Sequence, residues 1–324
     1  MSALLRSREA GIAIVLFAVL AATTWRNPAF LFSSDGFRDL LLTPSILLVA
    51  VLGQGVVILT RNVDLSVGSV LGLSAYLVGS LFRAGVPTVL AVLAGLALGA
   101  LLGAVNGALV ALGRVPSMVI TLGTLYAWRG IAVWWAGADR IDASELPPGF
   151  LALGTQQWLG IPVLTIISGL ALAAVAWYLH HTRGGRECYA IGSAPDAAVL
   201  YGLDVRRRVL TAFVFSGLMA GLAGVLFAAR YGTVNSAAGD GFELEAVGAV
   251  VIGGIAITGG VGTILGAALG AVLLVTINRA LPVLGIPDFW QRAVVGVLIL
   301  GAIVMDRVLA LRQHRRRIEK RASR

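Results

Sequence analysis

Gln54, Asn62, Asp64, Asn106, Thr121, Thr124 and Asn278 stand out because each is a polar residue in or beside a long apolar run. Amides and hydroxyls exchange hydrogen bonds without carrying charge. The set therefore suits a polyhydroxylated, uncharged solute passing between helices. A polar side chain at depth in a bilayer must be partnered or wetted, and for any one of these residues a bond between helices explains it equally well. Gln54 has a glycine on each side, Gly53 and Gly55, which marks a break or a cavity wall. Asp64 closely follows Arg61 and is expected to pair with it at an interface.

Several other kinds of chemistry find no residues. No span carries a mid-membrane acid or His suited to a proton relay; Glu243 and Glu245, at the start of an apolar run, are the acids that come nearest. There is no Gly-rich P-loop, so this chain has no such route to binding ATP. Cys188 is the single cysteine, which excludes an intrachain disulfide and a Cys-based metal site. His180, His181 and His314 sit at span ends, and no metal-ligand cluster or nucleophile–base pair appears. Asp139, Asp142 and Glu145 read as a solvated loop. No catalytic residue, metal or cofactor is assigned.

The elements that must position these residues are membrane helices. The 324 residues are 58% apolar and 13% charged, where an ordinary soluble domain carries about 25% charged residues. The apolar residues form runs long enough to cross a bilayer. Ten segments are expected, at 10–25, 39–60, 65–82, 87–112, 116–136, 161–180, 209–229, 241–258, 262–281 and 289–306. The expected fold is an all-α polytopic helix bundle forming one domain over 1–324. The segment at 241–258 begins with Glu243 and Glu245 and ends in glycines, so a short or re-entrant helix is expected there.

The formal net charge is +9, and in a soluble protein that would suggest nucleic acid. Here the basic residues gather at span ends and in the tail at 307–324. Arg61, Arg114, Arg183, Arg186, Arg206, Arg207 and Arg208 fall on one side with the tail. Asp35, Asp39, Asp139, Asp142, Glu145 and Asp240 fall on the other. The positive-inside rule then puts both termini in the cytoplasm. It also puts the long loop at 181–208 inside, where a soluble partner could dock. Cys188 in that loop is expected to react with a thiol reagent only from the cytoplasmic side.

Glycines at intervals of four let helices approach to backbone contact. Gly95, Gly99, Gly103 and Gly107 form one ladder, Gly262, Gly266 and Gly270 another, and Gly217 with Gly221 a shorter one.

Four blocks resemble the ABC sugar permeases of the ribose, rhamnose and autoinducer-2 type. They are Leu59 to Ser69; Asn106-Gly107 with Val115-Pro116-Ser117, Thr121 to Thr124 and Arg129-Gly130; Gly185 to Gly192 with Ala197, Ala198 and Gly202; and Gly241 to Gly254 with Gly259 to Gly262. The first block is most similar to the rhamnose and autoinducer-2 branch. Glu245 stands where the family commonly has Asp, and Ala194 to Asp196 where it has Asn-Glu. The resemblance implies a bacterial inner-membrane subunit that pairs with a second permease, a cytoplasmic ATPase holding ATP and Mg, and a periplasmic or lipid-anchored sugar-binding protein. It implies that Gly185, Arg186, Tyr189, Ile191, Gly192, Ala197, Ala198 and Gly202 form the segment that docks on the ATPase. Tyr189 and Ile191 would then offer an apolar knob, and Gly184, Gly185 and Gly192 would permit turns. The competing readings are a branched-chain amino-acid permease of the ABC type, an energy-independent facilitator, and a membrane enzyme of lipid or glycan chemistry.

Overall fold

The computed structural model describes residues 8–113 and 115–290, with 293, 294, 296, 297, 300, 301 and 304 beyond them. The helices in chain order are α1 (Arg8–Arg26), α2 (Ala29–Phe32), α3 (Ser34–Leu42), α4 (Pro44–Leu59), α5 (Val67–Arg83), α6 (Thr88–Gly113) and α7 (Ser117–Ala136). Then follow α8 (Pro148–Thr155), α9 (Val163–His181), α10 (Arg183–Ser193), α11 (Pro195–Leu200), α12 (Val205–Tyr231), α13 (Phe242–Ile252) and α14 (Ile264–Val283). Among the described residues, six helical stretches have the length and apolarity of a membrane crossing, α3 and α4 counting as one. Nine of the ten expected segments overlap a helix; half of the tenth, 289–306, lies outside the described residues.

Local sequence sets the boundaries. Pro44 and Pro195 open α4 and α11, where the missing N–H is not needed. Thr182, Asp204 and Thr263 cap α10, α12 and α14 by accepting from the N–H groups of Gly185, Arg207 and Gly266. Between α8 and α9, Gln157–Trp158 and Ile161–Pro162 form a two-stranded hairpin whose turn residues, Leu159 and Gly160, both have positive φ. The fold is thus not purely helical.

α4 is buried along its whole length and forms the axis of the bundle. α12 lies against it, and α6 runs antiparallel on α12. Gly99 meets Gly217 and Gly221, Gly103 meets Phe213 and Gly217, and Gly107 meets Leu210. A Cβ at Gly99, Gly103 or Gly217 would overlap a carbonyl oxygen of the facing helix, so the expected ladder is a backbone-to-backbone seam. Gly95 meets Val78 of α5 and Val225 of α12.

The second ladder is shorter than expected. Gly266 and Gly270 of α14 meet Ala249 of α13 and Gly253 just past its end, but Gly262 precedes α14 in a turn with φ of 122°. That backbone needs glycine for its conformation, so the interval of four continues past the end of the helix by coincidence. α13 has 11 residues, about 16 Å at 1.5 Å per residue, and cannot span alone. Gly53 and Gly55 do not break α4. Gly53 admits Ser216 and Met219 of α12, and Gly55 admits Ile255 and Ile264.

The bundle has two distinct ends. One carries Arg61, α10, α11 and the start of α12, and is called the basic end. The other carries Arg83 with Asp139 and Glu145, and is called the acidic end.

Candidate functional site

After α4 ends at the basic end, residues 60–66 turn back into the bundle without helical structure. The turn is tight: Thr60 Oγ1 donates to the Val57 carbonyl at 2.7 Å, and Arg61 adopts φ of 65°, uncommon for a residue with a side chain. Irregular backbone at depth must find partners within the protein. Asn62 Nδ2 donates to the Thr60 carbonyl at 2.9 Å, and the Val63 N–H to Ser117 Oγ at 3.0 Å. Thr121 Oγ1 donates to the Val63 carbonyl at 3.1 Å. Side chains of α7 thus hold the returning strand.

Asp64 is 2% exposed. Its Oδ1 accepts from the Ser66 N–H at 3.0 Å and from Ser66 Oγ at 2.7 Å, and its Oδ2 accepts from Ser216 Oγ of α12 at 2.9 Å. Asn106 Nδ2 of α6 donates to Ser66 Oγ at 2.7 Å. The expected pairing with Arg61 is therefore wrong: Arg61 is exposed, and the carboxylate points inward to the mid-height of α12. Three donors and the positive N-terminal end of α5 reduce the cost of burying a carboxylate there without cancelling it. An acid does lie at depth, contrary to the sequence reading.

A second irregular stretch, 232–241, enters from the acidic end. Val234 pairs with Ile141 there. Arg129 Nη1 of α7 donates to the carbonyls of Ser236 and Ala238 at 3.2 and 2.7 Å. Gly72 of α5 packs on the Ala238 carbonyl, and Gly68 packs on the Gly239 carbonyl and the Glu243 carboxylate. The N-terminal turns of α5 and α13 thus meet inside the bundle. α5 runs from there to the acidic end and α13 to the basic end. Helices that begin inside the bundle and are joined to irregular chain are how transporters place backbone groups at a midplane site.

Four of the seven polar residues singled out by sequence, Asn62, Asp64, Asn106 and Thr121, belong to this hydrogen-bonded cluster. Thr124 adjoins it through a 3.3 Å bond to the Thr121 carbonyl. Gln54 is fully buried in α4, and neither its Nε2 nor its Oε1 finds a partner among the described residues. Asn278 lies apart on α14, with Nδ2 at 3.5 Å from Glu245 Oε1. Sequence reasoning missed Ser66, Ser117 and Ser216. Ser66 and Ser117 stood inside the quoted blocks, whereas nothing near Ser216 marks it. A cavity of about 450 Å³ opens at the basic end beside this strand, lined in part by Thr60, Asn62, Ser117, Ile191 and Arg206.

The loop at 181–208 is two helices rather than a loop, and its surface differs from expectation. Ile191 is 1% exposed, and Tyr189 is half-buried with its hydroxyl donating to the Gly262 carbonyl at 3.2 Å. Neither can serve as a knob. Gly185 and Gly192 do not make turns; they sit in α10 where a Cβ would strike the backbone of Leu179 and of Leu59 and Gly260. Gly184 also lies in α10, against the Tyr178 hydroxyl. The amphipathic α10 turns its apolar side into the bundle and Arg186 outward. Glu187 pairs with Arg208 and with Arg183, and Arg208 beside it holds its carboxyl below the usual range. Cys188 is 1% exposed, and burial pushes its thiol up to about 11, so it is not the open labelling site expected. The exposed apolar surface is instead the end of α11, where Val199, Leu200 and Tyr201 are 61%, 87% and 87% exposed. Ala197 and Ala198 support it, and Gly202 turns the chain back with φ of 76°.

Residues 37–303 match the family described as branched-chain amino acid transport system / permease component. The chain is similar to the autoinducer 2 import system permease protein LsrC of Enterobacter sp. (strain 638), 37% identical over 321 residues, covering 98% of this chain and 93% of that protein. It is similar to the protein of the same name from Shigella flexneri, 40% identical over 261 residues, covering 81% of this chain and 76% of that one. No solved structure matches it.

Proposed function

The chain belongs to the branched-chain amino acid transport system / permease component family, and from that premise we propose that it forms the membrane pathway of an ATP-driven bacterial importer for autoinducer-2 or a closely related sugar-like solute. It is then not an enzyme, and ATP and Mg belong to a separate ATPase. The observation that carries the reading is the meeting of the N-terminal turns of α5 and α13 inside the bundle, with irregular chain reaching it from each end. Such a junction supports alternating exposure, because small shifts of either helix would open one approach and close the other.

Other features support the finer parts. The excess of Arg at one end supports a reading in which that end, both termini and α10–α11 lie on the cytoplasmic side of the inner membrane. Ten spanning or half-spanning segments follow if 289–306 crosses as its composition suggests. The exposed Val199–Leu200–Tyr201 tip suits docking in a groove of the ATPase, which favours a driven importer over a free-running facilitator. A second permease and a binding protein outside complete the assembly. The family description names amino acids, but the amide and hydroxyl groups at the break suit a polyhydroxylated solute better than a zwitterion. The names of the relatives point the same way.

The test is uptake of labelled autoinducer-2 by cells lacking their own permease and supplied with this chain, the ATPase and the binding protein. Uptake that needs all three and is outcompeted by autoinducer-2 but not by leucine is expected. Uptake that persists without the ATPase would establish a facilitator, and competition by leucine would move the substrate to an amino acid.

A further inference from the structure

Between α9 and α12 a crevice of about 320 Å³ opens on the side of the bundle. Val56 of α4 forms its floor, Ala174 and Val175 one wall, Ala212 and Phe215 the other. No charged side chain lines it. Towards the basic end it closes on Tyr178 and Cys188. Directly beyond lies a polar pocket of about 380 Å³ that includes Arg183, Arg207 and Arg208. The two are joined: Thr211 lines both, and Gly184 of the polar pocket sits against the Tyr178 hydroxyl.

The acids of the polar pocket are already engaged. Glu187 is shared by Arg208 and Arg183, and Asp204 caps α12 by accepting from the Arg207 N–H. Arg183 and Arg207 remain exposed at the rim. The N-terminus of the 27-residue α12 adds partial positive charge at the same place. An apolar slot in a membrane-facing wall, ending in cationic groups at the basic end, matches one ligand shape: a chain with an anion at its head. The chain's own tail at 307–324 does not fit, because it is rich in Arg and would meet the rim with like charge.

We propose that the α9–α12 crevice and the arginine pocket beyond it form one site for a phospholipid with an anionic headgroup. Its acyl chain lies between the two helices and its phosphate at Arg183 and Arg207. The site does not depend on what the permease carries. Because α10 supplies Arg183 and α12 supplies Arg207, the headgroup bridges the two helices that flank α11.

The test is native mass spectrometry of the full-length permease in detergent, titrated with palmitoyl-oleoyl-phosphatidylglycerol, with phosphatidylcholine of the same chains, and with glycerol phosphate. The first phosphatidylglycerol should bind about tenfold more tightly than phosphatidylcholine, since each basic group near a headgroup favours the anion. Arg183→Gln with Arg207→Gln should abolish that preference, while the charge-matched Arg140→Gln at the acidic end keeps it. Ala174→Trp, which fills the slot, should weaken both lipids alike. Equal binding of the two lipids by the unmodified protein would overturn the proposal, as would a preference that survives the double substitution. Binding of glycerol phosphate as tight as that of phosphatidylglycerol would assign the pocket to a free anion. Lipid binding untouched by Ala174→Trp, with loss of a dimer, would assign the crevice to a second copy.

Discussion

The α6–α12 seam and the junction of α5 with α13 are both built from small residues at depth, yet they solve opposite problems. In the seam every backbone group is satisfied inside its own helix, and glycine serves only to bring two helices together. At the junction the backbone leaves the helix, and side chains of neighbouring helices must satisfy it: Ser117 and Thr121 for 60–66, Arg129 for 232–241. A glycine seam is rigid because nothing can move without collision. A junction held by side-chain hydrogen bonds can exchange partners. The contrast assigns the seam to the frame and the junction to the moving part.

The largest effect should come from breaking the frame. Gly103→Leu forces a side chain into the Phe213 carbonyl and should destabilise by about 3 kcal/mol or more. Gly123→Leu on α7, where nothing lies within 4 Å, should stay within about 0.5 kcal/mol. Thermal unfolding in detergent measures both, and equal losses would remove the distinction between packed and open glycines. Next comes the junction. Asp64→Ala leaves the Ser66 N–H and the Ser216 hydroxyl without their acceptor, costing about 1–3 kcal/mol. Uptake should nevertheless fall to background in protein that is still folded; retained uptake would make Asp64 a structural anchor only.

A smaller effect on the fold, with a specific loss of partner, is expected at α11. Leu200→Asp should change stability by less than about 0.5 kcal/mol because the side chain is exposed, while the ATPase no longer co-purifies. The smallest effect lies at the acidic end. Arg83 reaches Asp139 at 2.5 Å and Glu145 at 2.7 Å and holds both carboxyls below their usual range. Lowered folded-state values mean that this contribution is present above the ordinary carboxylate range and lost as pH falls through the lowered values. All three groups are solvent-screened, so the contribution is small. Unfolding temperature should hold steady from pH 7 to about 5 and drop below about 4. Arg83→Gln should flatten that drop, and an unchanged profile would show the pairs to be idle.

The frame was legible in the sequence because glycines repeat at the helical period and the apolar runs are long enough to cross a bilayer. Gly262 shows the limit of that signal, since a spacing of four carries no information on where the helix begins. The junction was half legible. The run from Leu59 to Ser69 is distinctive, but the sequence pairs Asp64 with its near neighbour Arg61, while one of its partners in the structure, Ser216, lies 152 positions away. Burial decides such a choice, and burial is set by helices that the local sequence does not contain. Tyr189 and Ile191 failed for the same reason. An amphipathic helix declares that it has an apolar face, not which neighbour covers it, and here α4 and the turn before α14 do. Leu200 and Tyr201 carry no distinguishing signal because apolar residues are ordinary in this composition.

The most direct test of the junction is which side of the membrane each irregular stretch faces. In a background with the buried Cys188 replaced by Ala, single substitutions Asn62→Cys and Asn235→Cys are labelled with a membrane-impermeant maleimide. Sealed right-side-out and inverted vesicles are compared. The account predicts that Asn62→Cys reacts only in inverted vesicles and Asn235→Cys only in right-side-out ones, each with a rate that changes when the ATPase is trapped with a non-hydrolysable nucleotide. Labelling of both from the same side would contradict it, because the two stretches could then not approach the junction of α5 and α13 from opposite faces.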